Sequence, residues 1–165
     1  MVLDITKLIN ADGESLKIDA QVDFGFLSFN GQDIKFKAPV CASGKASSID
    51  GKIYLDLKCR ANYVTACSRC LEDTECILDF NVNEVYSKSQ LDNENDDVII
   101  LNSNEIDLKE IIGQSFCCAL PITCLCSEDC KGLCPMCGCN LNKEQCSCES
   151  DDIDPRLAVL KDFLK

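Results

Sequence analysis

The sequence contains no histidine and no tryptophan, and only four prolines and two methionines among its 165 residues. Without histidine the usual general base at neutral pH is missing, and with it every Ser-His or Cys-His nucleophile pair. Neither a phosphate-cradling GxxxxGK[ST] loop nor a GxGxxG dinucleotide turn occurs. No apolar run approaches the ~20 residues that cross a bilayer. The N-terminal stretch MVLDITKLINADGESL has neither the basic start nor the apolar core of an export signal. These absences lead to the expectation of a cytoplasmic, non-enzymatic protein with no membrane partner and no small-molecule substrate.

What the sequence has in excess is cysteine, with fifteen. In a reducing compartment, cysteines in CxxC clusters read as metal ligands and buried thiols more than as disulfides. Seven of them fall in the twenty-three residues of CSEDCKGLCPMCGCNLNKEQCSC, from Cys126 to Cys148. Within it, Cys134-Pro-Met-Cys137-Gly138 has the composition of a metal knuckle. Proline presets a tight turn, and glycine admits the positive φ needed to double back. A second CxxC stands far upstream, at Cys67-Ser-Arg-Cys70.

Eight cysteines pair naturally for two zinc ions. Cys67, Cys70, Cys126 and Cys130 form one candidate site, and Cys134, Cys137, Cys146 and Cys148 the other. A local alternative groups Cys126, Cys130, Cys134 and Cys137; four-coordinate bookkeeping favours the first. Cys124 and Cys139 are within reach and can replace a neighbour. Cys41, Cys59, Cys76, Cys117 and Cys118 read as small interior hydrophobes. An all-thiolate site leaves no open position for water, so a structural role for the metal outweighs a catalytic one.

The formal charge is −12, unevenly spread. Residues 35–69 carry seven basic and two acidic side chains, net +5, and the rest nine and twenty-six, net −17. Each all-cysteine zinc site adds four thiolates and one dication, net −2, so two would take the total from −12 to −16.

Apolar alternation predicts a half-buried strand over Leu16–Phe24, and Gly25–Gln32 reads as a turn region. A long hairpin is expected over Ile34–Ala61, closed by Asp50-Gly51, a type I′ dipeptide. Its register puts Lys52, Tyr54, Asp56, Lys58 and Arg60 opposite Ile49, Ser47, Lys45, Ser43 and Cys41. After the CxxC tip, Cys76–Tyr86 is a further strand, SKSQLDNENDD an acidic linker, and Val98–Leu101 a short buried strand. Ser103 or Asn104 is the expected cap of a helix carrying Leu108, Ile111, Ile112 and Phe116. Asp154-Pro155 should open a last helix with Leu157, Leu160, Phe163 and Leu164 on one face. The fold class is α+β: a mainly antiparallel sheet or small barrel, two helices, and a zinc-stabilised C-terminal lobe. The organisation is a β region at 1–87, a linker with a short strand at 88–103, and a helix, cysteine lobe and terminal helix packing back on the β region at 104–165.

Taken together, CSRCLE at 67–72, Leu120-Pro121, the CSEDCKGLCPMCGCNLN run, CSC and DPRLAVL at 154–160 resemble the YceD family of large ribosomal RNA subunit accumulation proteins. The long cysteine cluster is similar to that of its Gram-positive-like branch. The resemblance implies a cytosolic factor supporting synthesis, processing or stability of large-subunit ribosomal RNA. It directs attention to Lys45, Lys52, Tyr54, Lys58, Arg60 and Arg69 as an RNA-facing set on a large-subunit or pre-ribosomal particle. Apart from the resemblance, that face reads as an ordinary solvated sheet surface. The alternative is an acidic, zinc-stabilised adaptor or chaperone for a basic ribosomal protein, without RNA contact.

Overall fold

A computed structural model describes residues 1–89 and 98–148. The fold is built around two fifteen-residue strands, β6 (Lys52–Ala66) and β7 (Asp73–Ser87), paired antiparallel from Lys52↔Ser87 to Ala66↔Asp73. Along β6, residues from Ile53 to Thr65 alternate between buried and more exposed, the period-two signature of a sheet covered on one face. The other edge of β6 is divided. Its first half pairs with β5 (Val40–Ile49), and near its far end Tyr63 and Val64 pair with β4 (Gln32–Phe36).

Asp50 and Gly51 both take positive φ, +52° and +73°, and Ile49 faces Lys52 across them. This is the two-residue turn that the dipeptide predicts, and the β5–β6 register is the expected one. The hairpin starts later than expected, because Ile34 and Phe36 belong to β4. The stretch read as a turn is a hairpin of its own, β3 (Phe26–Phe29) on β4, closed by Asn30 and Gly31 at positive φ. The outer strand β2 (Ser15–Val22) lies on β5, and β8 (Val98–Ile100) lies parallel on the end of β7. Among the described residues this seven-stranded sheet does not close into a barrel; β2 and β3 end its order. β8 is less buried than expected, with Ile99 exposed.

At Gly44 the β5 and β6 backbones come so close that a Cβ would stand 2.0 Å from the Asp56 carbonyl oxygen. Glycine in a strand interior marks such an approach.

Among the described residues two helices cover the inner face. α1 (Thr6–Asn10), which the sequence reading did not anticipate, buries Leu8 beside Ile5. α2 (Leu108–Ala119) buries Leu108, Ile112 and Phe116, spaced four apart on one stripe. Phe116 is fully buried and meets the rings of Phe36, Tyr63 and Phe80 at 5.0, 5.4 and 5.8 Å. The cap of α2 is neither Ser103 nor Asn104. Residues Glu105–Asp107 form β9 on β1 (Val2–Asp4), and Asp107 accepts the Lys109 N–H at 2.9 Å. The same carboxylate holds the N-terminal ammonium at 3.1 Å. Strand pairing won over capping there. Most of the acidic linker and the expected C-terminal helix lie outside the described residues. Among the described residues no helix is long and apolar enough to cross a membrane.

Candidate metal centres

The far tip of β6–β7 and the lobe after α2 contain the same local device twice. In the first turn the Leu71 N–H donates to the Cys67 carbonyl at 2.9 Å. In the second the Gly138 N–H donates to the Cys134 carbonyl at 2.8 Å. The residue after the second cysteine is left-handed in both, φ +61° at Leu71 and +74° at Gly138. Glycine takes that conformation freely, whereas leucine bears a strain of roughly 1–2 kcal/mol. Leu71 is also two-thirds exposed, so burial does not offset the strain.

The lobe is laid against the first turn by backbone pairing. The Ser68 N–H donates to the Cys124 carbonyl at 2.8 Å, and the Leu133 N–H to the Arg69 carbonyl at 3.1 Å. The Arg69 guanidinium donates to the Cys130 carbonyl at 2.8 Å. Gly132 lets the two chains approach, since a Cβ there would stand 3.1 Å from the Arg69 carbonyl oxygen.

This docking brings Cys67, Cys70, Cys126 and Cys130 together with all four sulfurs within 4.8 Å of one another. Cys67 and Cys130 are 3.9 Å apart and Cys70 and Cys126 3.6 Å, and all are free thiols. A tetrahedron of ~2.3 Å zinc–sulfur bonds has edges of about 3.8 Å. The group therefore fits one tetrahedral, thiophilic ion and is far too open for disulfides. Three of its four cysteines are buried; Cys126 is the exposed one.

The second group is Cys134, Cys137, Cys139 and Cys146, again within 4.8 Å. Its Cys137–Cys146 and Cys134–Cys146 separations are 3.4 and 3.3 Å. Cys139 stands here where the sequence reading put Cys148. Cys148 is alongside, its N–H donating to the Cys146 sulfur at 3.3 Å. The signal available beforehand was that Cys137-Gly-Cys139 repeats the spacing of Cys146-Ser-Cys148. The local alternative that joins Cys126 and Cys130 to Cys134 and Cys137 is not the arrangement found.

Backbone donors prepare some thiols for ionisation while crowding holds protons on others. The N–H groups of Cys70 and Arg69 lower Cys67 to about 6, and that of Cys139 lowers Cys137 to about 6. The Asn142 amide, 3.3 Å from the sulfur, lowers Cys130. Cys126 is pushed up to about 12 by the Cys130 thiol, and Cys139 to about 12 by Cys137. Packed thiolates of one sign repel, and a bound cation removes that conflict. Asn142 had no signature in the sequence, because its partner lies twelve residues away.

The remaining cysteines divide. Cys124 belongs to the core, 3.6 Å from the Tyr63 hydroxyl, and to neither group. Cys59 is buried as expected, but Cys41 and Cys118 are exposed rather than interior.

Lys45, Tyr54, Lys58 and Arg60 share the outer face of the sheet, with Lys52 half-exposed at the β5–β6 turn. Register sets acidic neighbours among the basic side chains of that segment. Lys45 stands between Asp56 and Lys17, Lys58 faces Asn81 with Asp19 two strands away across Ser43, and Arg60 faces Asp79. The Arg60 guanidinium is held by both Asp79 oxygens, at 2.6 and 2.9 Å. Arg69 lies apart, in the first knuckle.

Residues 55–164 match the family model described as large ribosomal RNA subunit accumulation protein YceD. The uncharacterized protein YlbN of Bacillus subtilis is 27% identical over 154 residues, covering 92% of this chain and 90% of its own. An uncharacterized protein of Mycobacterium leprae is 28% identical over 169 residues, 99% of this chain and 77% of its own. A chloroplastic YCED homolog of Arabidopsis thaliana, named a large ribosomal RNA subunit accumulation protein, is 40% identical over 50 residues, 30% of this chain and 16% of its own. No solved structure matches.

Proposed function

The chain belongs to the YceD family, and from that premise we propose that it is a non-enzymatic cytoplasmic factor supporting large-subunit ribosomal RNA, braced by two zinc ions. The supporting observation is the first cysteine group, whose sulfur separations of 3.6 and 3.9 Å suit a closed Zn–S tetrahedron between hairpin tip and lobe. Four thiolates fill the coordination sphere, so the ion stabilises geometry and leaves no position for substrate. The second ion is held in the knuckle at Cys134 and Cys137 with Cys146 and either Cys139 or Cys148.

On this reading RNA meets the outer sheet face, with Lys45 and Lys58 on phosphates, Lys52 and Arg60 at its margins, Tyr54 available for stacking, and Arg69 a separate contact at the knuckle. The interleaved carboxylates and the Arg60–Asp79 pair favour a second reading, an acidic adaptor for a basic ribosomal protein. Filter binding of the zinc-loaded protein to large-subunit rRNA fragments across a salt series separates them. RNA contact predicts salt-dependent retention that a Lys45→Glu/Lys58→Glu variant loses. Retention unchanged by that variant rejects the face, and no retention at all leaves the adaptor.

A further inference from the structure

The second cysteine group holds one more thiol than a tetrahedral ion uses. Cys134, Cys137, Cys139 and Cys146 have their sulfurs within 4.8 Å of one another. Cys148 lies beside that group, its N–H donating to the Cys146 sulfur at 3.3 Å. Cys139 and Cys148 thus both stand next to Cys146, one with its sulfur inside the group and the other held there by its backbone.

We infer that Cys134, Cys137 and Cys146 hold a metal ion permanently, while Cys139 and Cys148 exchange at its fourth position and make this site the exchangeable one. The inference rests on the zinc reading above and adds which ligand moves. In the exchange one Zn–S bond forms as another breaks. The entering thiol gives up a proton and the leaving thiolate takes one, so charge and redox state are unchanged. The entering thiol is either Cys139, inside the group, or Cys148, held beside Cys146 by its N–H, so the ion need not drop to three ligands, the condition that makes substitution at a closed site slow.

The first site has no such spare. Three of its four cysteines are buried, and the neighbouring Cys124 is directed to the Tyr63 hydroxyl in the core. In the second group Cys137 and Cys148 are exposed and Cys139 and Cys146 half-buried, so thiols of another molecule can enter.

Iodoacetamide labelling of the full zinc-loaded chain, with peptide mapping, tests this without mutation. About one equivalent of label divided between Cys139 and Cys148 is expected, with Cys67, Cys70 and Cys130 protected. Label confined to one of the two positions, or absent from both, overturns the exchange. Full labelling of both with the first site protected means the second site holds no ion, and also overturns it. Labelling throughout both groups in protein that binds no zinc would instead refute the zinc reading itself. Native mass spectrometry provides the second arm: Cys139→Ser and Cys148→Ser should each keep two zinc ions and the double variant one. Loss of an ion from either single variant counts against exchange.

Discussion

Removing the first metal site should cost more stability than removing the second, and chain connectivity sets the difference. Cys70 and Cys126 are 56 positions apart, whereas Cys137 and Cys146 are nine apart. A ligated ion ties each loop shut, and closure removes freedom from the unfolded chain in proportion to 1.5 RT times the logarithm of loop length. The ratio of the two loops is about six, so the longer cross-link contributes about 1.6 kcal/mol more. For a chain of this size each kcal/mol moves the melting temperature by about 2–4 °C, so the gap should be about 3–6 °C. Thermal melts of Cys70→Ser and Cys137→Ser in excess zinc measure it directly, with Cys118→Ser as an exposed control. The first variant should also open the lobe to protease while the sheet stays folded. If Cys137→Ser lowers the melting temperature as much as Cys70→Ser, the cross-link between tip and lobe is not what holds them together.

Two further outcomes follow from local geometry. Gly44→Ala must displace the β6 backbone, since the new methyl would meet the Asp56 carbonyl oxygen at 2.0 Å. A loss of about 1–3 kcal/mol in urea unfolding is expected, and an unchanged midpoint would mean the strands are further apart there. Zinc addition to the metal-free protein at neutral pH should release protons, because thiols held up at about 12, such as Cys126 and Cys139, still carry them. The sign is fixed: lowering the pH protonates the ligands and weakens binding, so a zinc affinity that rises on acidification contradicts the thiolate assignment.

How far the sequence reached depended on whether the determining contact was local. The Asp50-Gly51 turn set the β5–β6 register, since both residues can adopt the positive φ that a two-residue hairpin demands. The helix stripe of Leu108, Ile112 and Phe116 was equally legible. The helical start was not, because Asp107 became its cap only once Glu105–Asp107 paired with the N-terminal strand. The α1 turn is too short to show a period. The candidate metal groups illustrate both limits. Cysteine spacing pointed to the knuckles, but only the folded lobe set Cys139 within the second group and Asn142 on the Cys130 sulfur. The neighbours of the basic run at 35–69 were not legible, because charge counted along a chain does not show which side chains β2 and β7 bring beside it.

The three tyrosines of the chain, Tyr54, Tyr63 and Tyr86, all lie on β6 and β7, and no tryptophan is present to outshine them. The paired strands are therefore the only source of tyrosine emission. Tyr63 is the informative one, buried with its hydroxyl 3.6 Å from the Cys124 thiol at the base of the lobe. A thiol in contact with an excited phenol dims it, so undocking of the lobe would register as a brightening of a single residue. Tyr54 and Tyr86, at the other end of the ribbon beside the Asp50-Gly51 turn, would supply a steady background.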